Sequence, residues 1–412
     1  VLAFTPLPGV PLFAASLLMG GLGYSKMALT KQRVEAAAAE AALERQAVST
    51  QPSPDEPPVL ETLEMEIGWG LVEMLDQERG GTLMPRISSI RRQLAAEMGV
   101  VVPPIRVADN PQLRSGSYRL KLRGCAIGSG TIQPRLYMAM NSGLARGELE
   151  GIAGEEPAFG LPATWIEPHQ KERAERLQYT VVDAETVVTT HLREMLKAHA
   201  PELVSREEVN HLLDHLKKTS PKLVEELVPN LIKPGDLQKI LQNLLKERVP
   251  VRDLETILET AGDWAGHSKD PAVLTEYVRN ALRRTISSEY AQADESGALR
   301  LRCISLDPET EQLINGYIDR SPSGSTVTMS SNVVSLLVEA IRVAAEPLLR
   351  AGHELVVLAH PSVRAQVYMV CEKHLPGMVV LSYNEVVDEI EVECLGVAQM
   401  RSPEPQGAVM NN

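Results

Sequence analysis

The chain has 412 residues, with 54 acidic against 41 basic side chains and a net charge of −13. That balance excludes a general nucleic-acid binder, because no broad basic face is available to neutralise phosphates. Four scattered cysteines (Cys125, Cys303, Cys371, Cys394) form no CxxC pair; this excludes a disulfide framework and predicts reduced thiols buried as small hydrophobes.

The chain opens on Val1 without an initiator methionine and is read as a fragment or processed product. Residues 1–24 carry no charged side chain, about the length that crosses a bilayer, so they read as the end of a membrane region. Lys26, Lys31 and Arg33 follow the apolar run. That order favours a cytoplasmic location for what comes next and disfavours a secretory signal peptide. Residues 25–58 are predicted to be a linker. An Ala/Glu/Arg run from Thr30 to Gln46 suits a solvated single helix, and Pro52, Pro54, Pro57 and Pro58 then enforce an extended chain.

A first α/β module is assigned to residues 59–134 plus 184–203. Leu63, Met65, Ile67 and Trp69 alternate at strand period, whereas Leu83, Ile87, Ile90 and Leu94 make one helix face that Gly99 stops. Strands from Ile105 to Val107 and from Ser117 to Leu122 follow, and Arg123-Gly124 turns the second back into Cys125 to Ile127. Gly124, Gly128 and Gly130 lie between strands with no GK[ST], which excludes a phosphate loop.

Residues 135–183 are predicted to be a second module inserted into the first. After a strand from Leu136 to Met140, four glycines (Gly143, Gly147, Gly151, Gly154) read as a loop. Pro157, Gly160 and Pro162 then punctuate a segment that carries Phe159, one of three phenylalanines in the chain. A strand through Trp165 and Ile166, a polar helix from Pro168 to Arg176 and a strand from Tyr179 to Val182 come next. A helix from about Thr186 to His199, capped by Asp183 or Glu185, would return to the first sheet and leave a groove at the seam. Spacing alone ranks Phe159 first as a core plug under the loop and second as a docking side chain.

Apolar residues at helical spacing make residues 204–286 an all-helical third module, opened by Ser205 and Glu208. His211 and His215 have metal-ligand spacing, but HLLDH lacks the Glu of HExxH and has no third ligand nearby, so no metal is assigned. Residues 287–402 alternate strands and helices, which implies an open, partly parallel sheet. A flexible polar loop is expected over residues 321–330. His360, Ser382 and Asn384 lie at strand ends without a nucleophile-base pair, and residues 403–412 read as a disordered tail. The fold class is therefore α+β multidomain: two small α/β modules, the second inserted in the first, then an all-helical module and a C-terminal α/β open-sheet module, preceded by a transmembrane segment and linker.

Four long stretches carry a resemblance: EPAFGLPATWI, YTVVDAETVVTTHL, LQNLLKERVPVRDLETILE and KDPAVLTEYVRNALRR. In the same order, they closely resemble the FlhA family, the large membrane subunit of the flagellar type III export gate, over nearly the whole chain. The resemblance implies a bacterial inner-membrane protein whose bulk here is cytoplasmic. It also implies a homo-oligomeric ring, commonly nonameric, that docks export chaperones with bound late substrates and helps set export order. The other implied partners are soluble ATPase-complex components near the linker and other export-gate membrane subunits. No cofactor and no catalysis is implied. Residue by residue, Phe159 is the apolar anchor, Glu156 stands where the family usually has Asp, and Thr190 is the matching polar contact. Val182 and Val187 are assigned as pocket walls, and Gly68 matches a glycine whose backbone freedom serves domain motion. Pro54 departs from the family, which carries an aromatic in that stretch. Two alternatives stand beside this reading: an injectisome export-gate homologue, and a small-molecule enzyme using the C-terminal sheet.

Overall fold

The computed structural model describes residues 60–76, 81–141, 143, 145–294, 297–321 and 324–400. Of two compact units, residues 1–61 and 62–412, every element below belongs to the second. The expectations for residues 1–24, 25–58 and 403–412 lie outside the described residues. No helix among the described residues is long and apolar enough to cross a membrane.

Strand β1 (Leu63–Ile67) buries Leu63, Met65 and Ile67 through its period of two. The predicted continuation to Trp69 fails. A 3-10 turn over Trp69–Met74 begins directly after Gly68, and Trp69 stands 72% exposed. Helix α1 (Leu83–Met98) buries the predicted face and ends at Gly99, whose φ of +78° needs no Cβ. With β2 (Ile105–Asp109), β3 (Ser117–Leu122) and β4 (Cys125–Thr131), β1 forms a sheet of order β2-β1-β3-β4. Only the β1/β2 pair in it is parallel. Arg123 and Gly124 make the predicted turn, both at positive φ.

A second sheet is built wholly from residues 137–183. It comprises β5 (Tyr137–Met140), β6 (Ile152–Glu156), β7 (Leu161–Ile166) and β8 (Thr180–Asp183), antiparallel in the order β6-β7-β5-β8, with the short helix α2 (Lys171–Arg176) before β8. The glycine-rich stretch expected as loop therefore ends in a strand. A Cβ on Gly151, just before β6, would strike the Trp165 carbonyl of β7, and one on Gly154 within β6 would crowd the Trp165 indole. One face of this sheet sends Met138, Ala163 and Trp165 into the main core; the other packs Ala139 and Ile166 on Ala174 of α2.

Helix α3 (Ala184–Ala198) leaves β8 through Asp183, whose carboxylate caps it by accepting from the Thr186 N–H at 2.6 Å. Its buried face, Val187, Val188, Leu192 and Leu196, joins the core of the first sheet. The helical layer follows: α4 (Ala200–Leu203), α5 (Arg206–Thr219), α6 (Pro221–Leu227), α7 (Pro234–Lys246), α8 (Leu254–Trp264), α9 (Pro271–Ala281) and α10 (Arg283–Tyr290).

The last sheet holds β9 (Gln292–Ala293) and β10 (Leu299–Leu306), followed by α11 (Pro308–Gly316). A hairpin, β11 (Ile318–Ser321) and β12 (Gly324–Val327), reaches into the segment 321–330 expected to be a flexible loop. Helix α12 (Ser331–Arg350), β13 (Val356–Ala359), α13 (Arg364–Cys371), β14 (Val379–Ser382) and β15 (Glu391–Ala398) complete the fold. The order β14-β13-β10-β15 is all parallel, and both faces are covered, Leu301, Val356 and Leu358 on one side and Ile304, Val357 and Val380 on the other. Cys303 and Cys371 are buried as predicted, but Cys125 and Cys394 are exposed because both sit on outer strands.

A buried ion network joins the helical layer to this last sheet. Arg279 of α9 is 1% exposed, and its guanidinium donates to both Glu385 carboxylate oxygens at 2.6 and 3.1 Å and to Glu247 at 3.0 Å. Arg364 of α13, also buried, pairs with Glu247 and with Glu276 of α9. Desolvation raises the Glu247 carboxyl, but the Arg279 and Arg364 guanidiniums outweigh it and leave its pKa below the ordinary value. Arg279→Ala strands buried carboxylates and is expected to cost about 3–5 kcal/mol in denaturant unfolding, whereas breaking the exposed, solvent-screened Arg284–Glu389 pair should leave the unfolding midpoint nearly unchanged. Because the folded pKa of Glu247 is depressed, its contribution is present above the unfolded carboxylate pKa and is lost as pH falls through the folded value. A stability profile below about pH 4 should therefore flatten in Glu247→Gln relative to the parent.

Candidate functional site

The loop joining β6 to β7 is four residues long, Pro157-Ala158-Phe159-Gly160, flanked by the paired residues Glu156 and Leu161. Gly160 closes it in the left-handed region at φ +66°, donating its N–H to the Glu156 carbonyl at 2.9 Å. The Glu156 side chain is 3% exposed. Its carboxylate accepts from the Ala158 N–H at 3.0 Å and the Phe159 N–H at 2.7 Å. One buried side chain thus satisfies the loop's inner donors and fixes its shape. Phe159 stands at the tip, 62% exposed, with Leu161 and Ile152 also exposed on the same hairpin. An apolar side chain of this size, held out on a stiff turn, is the opposite of the core plug that spacing alone favours.

The base of the hairpin meets the first sheet. The Tyr118 hydroxyl of β3 and His191 Nδ1 of α3 share a buried hydrogen bond of 2.8 Å. Burial raises the Tyr118 phenol well above its ordinary range, and the Glu156 charge adds to the rise. Burial also lowers the His191 imidazole, against the opposing pull of Glu156, so the ring is neutral at neutral pH. Glu156, Tyr118 and His191 therefore form one electrostatic neighbourhood, and Thr190 lies on the same turn of α3. The glycines first weighed as a phosphate loop serve this seam. A Cβ on Gly130 would press on the Tyr118 ring, and one on Gly128 would meet Met195 and His191. On the outer side, Arg86 of α1 donates to Thr186 at 2.8 Å and Asp183 at 3.2 Å, tying the end of β8 and the start of α3 to the first module. Burial raises the Asp183 carboxyl, but bonds from Thr186 and the Arg86 charge leave it below its ordinary pKa.

Glu156, Val187 and Gly68 sit in surroundings that their assigned roles do not suggest. Glu156 is not an exposed contact: the pleat turns its carboxylate inward, where it positions Phe159. Val187 is 1% exposed and belongs to the core, because it falls on the inward stripe of α3, and Val182 is only half-buried, packed on that core. Gly68 has an ordinary φ of −73°, so left-handed freedom is not what it supplies. Any Cβ there would collide with the Arg114 and Ser115 carbonyls, so close approach requires a glycine at this position. Thr190 remains half-buried at the seam, and Phe159 is the exposed member of the set. Tyr118 and His191 escape sequence reasoning, although a histidine on the apolar stripe Val187-Val188-His191-Leu192 is the signal that would have found one of them.

Elsewhere, His211 and His215 are exposed, with Glu207 3.9 Å from His211. No group of three or more potential ligands among the described residues could hold a metal. At the last sheet, His360 Nδ1 and Ser362 Oγ are 2.8 Å apart on one exposed turn, while Ser382 is buried and forms a reciprocal cap with Glu385. His360 and Ser382 thus take different partners.

Comparison with known proteins agrees with this architecture. The FHIPEP family profile matches residues 1–391. The chain is 37% identical over 401 residues to the flagellar biosynthesis protein FlhA of Bacillus subtilis, covering 96% of this chain and 58% of that protein, so it spans little more than half of that relative's length. Its fold matches the Chlamydia pneumoniae CdsV structure solved as a complex with CdsO, at a TM-score of 0.74 and 27% identity over 84% of this chain and 100% of that one. It also shares the fold of the nonameric EPEC SctV-C, with a TM-score of 0.68 and 23% identity over 83% of this chain and 100% of that one. The chain belongs to the FHIPEP family.

Proposed function

We propose that this chain is the cytoplasmic docking platform of a flagellar type III protein export gate, and that it captures export chaperones with their bound late substrates at the Phe159 hairpin. The observation that carries this reading is an exposed phenylalanine on a turn locked by a buried carboxylate. Such a side chain gains contact area on binding at little conformational cost, because its backbone is already ordered. The half-buried Thr190 supplies a polar rim at the seam. The role is binding and transport, not catalysis, and helping to set export order follows from which chaperone occupies the hairpin.

In the same reading the body hangs beneath the bacterial inner membrane as a ring of nine copies, by analogy with the nonameric SctV-C. Other export-gate membrane subunits lie above it, and soluble ATPase-complex components approach near the linker; the CdsV–CdsO complex supports a further soluble partner. The four-part division of the body, with residues 135–183 inserted between 59–134 and 184–203, followed by 204–286 and 287–402, belongs to this proposal. The fold likeness to CdsV also favours an injectisome branch, but the higher identity to FlhA ranks the flagellar one first.

Phe159→Ala should weaken capture of a chaperone–late-substrate complex by about 2–4 kcal/mol in titration calorimetry while the melting temperature stays within a degree or so of the parent. Undiminished affinity would rule out the hairpin as the dock. For the ring, sedimentation at rising concentration should show growth toward nine-copy particles, and a constant monomer mass would contradict assembly through this body.

A further inference from the structure

The order β6-β7-β5-β8 leaves β6 with one unpaired edge, and that edge ends in the Phe159 hairpin. The register settles which backbone groups are free. Pro162 has no N–H, so the opposed pair Glu155–Pro162 cannot be a hydrogen-bonded pair of the antiparallel ladder. By alternation, Ile152, Gly154 and Glu156 bond toward β7, whereas Ala153 and Glu155 turn their N–H and C=O groups away from it. Both are exposed, and among the described residues no backbone partner meets them. Exposed edges of this kind are templates for strand addition unless something covers or repels a partner.

Its surroundings indicate what fits. Ile152, Phe159 and Leu161 are exposed apolar side chains at the two ends of β6, and Glu148, Glu150 and Glu155, all exposed, run along the approach to it. An acidic flank beside a short apolar row complements an extended segment that alternates apolar side chains with Lys or Arg, and it repels a second copy of the same edge. Resting on the docking reading above, we propose that the partner bound at Phe159 also adds an extended, basic segment as a fifth strand along β6. Main-chain bonds to Ala153 and Glu155 would then supply affinity, and the Phe159 hairpin would supply register.

Residue-resolved amide exchange on the saturated chaperone–late-substrate complex tests this. Strand addition predicts at least about tenfold slower exchange at Ala153 and Glu155, the two outward N–H groups. Docking through side chains alone leaves both exchanging as in the free chain and overturns the proposal, even if Phe159→Ala abolishes binding and so upholds the dock itself. If no complex forms, or if Phe159→Ala binds as the parent does, the docking reading fails and the added strand with it. As a second arm, Ala153→Pro removes an outward donor without removing a bond to β7, and should weaken the complex about tenfold. Glu155→Lys should weaken it too, and more at low salt than at high. Unchanged affinity in both variants, with β6 amides still slowed, would assign the protection to shielding by a side-chain dock and overturn strand addition.

Discussion

A buried carboxylate must recover the hydrogen bonds it loses with water, or its burial is costly. Glu156 recovers two of them from the N–H groups of its own hairpin, Ala158 and Phe159. That condition works in both directions. The turn needs an acceptor beneath it, and the acceptor stays buried only while the turn keeps its shape. Phe159 is held in solvent as the outcome of this exchange. An exposed aromatic on a slack loop would lose ordering entropy on binding, which the preformed turn has already given up in folding.

The same carboxylate reaches the first module through the field it shares with Tyr118 and His191. Their hydrogen bond bridges β3 to α3, and two glycines of β4 are hollowed out to admit the ring and the imidazole. Arg86 clamps the other side of the joint at Asp183 and Thr186. The hairpin is therefore presented by a braced seam rather than by a free lobe. Far from it, the Arg279 and Arg364 network does comparable work between the helical layer and the last sheet, with charges in place of an aromatic pair.

Much of this was readable from periodicity. The α1 stripe, the Asp183 cap, the Arg123-Gly124 turn and the buried parallel strands follow from local spacing, because each depends on residues close in sequence. What stayed hidden depends on partners far apart. Gly154 reads as loop until Trp165 supplies the reason a strand would carry it. The burial of Glu156 is not legible from its residue type, because strand pleat decides which way its carboxylate points. Trp69 continued an alternation that a single 3-10 turn after Gly68 redirects into solvent. Tyr118 and His191, 73 positions apart, and Arg279 and Glu385, 106 apart, leave no local pattern that names one from the other.

In the proposed dock, Glu156 acts through Phe159 and not by touching the partner. A double-mutant cycle on chaperone-complex affinity, with Glu156→Ala, Phe159→Ala and the pair, measures this directly. Glu156→Ala should weaken binding in the parent but add almost nothing once Phe159 is gone. Additive losses, with Glu156→Ala costing as much without Phe159 as with it, would show the carboxylate making its own contact and would rule out an indirect role.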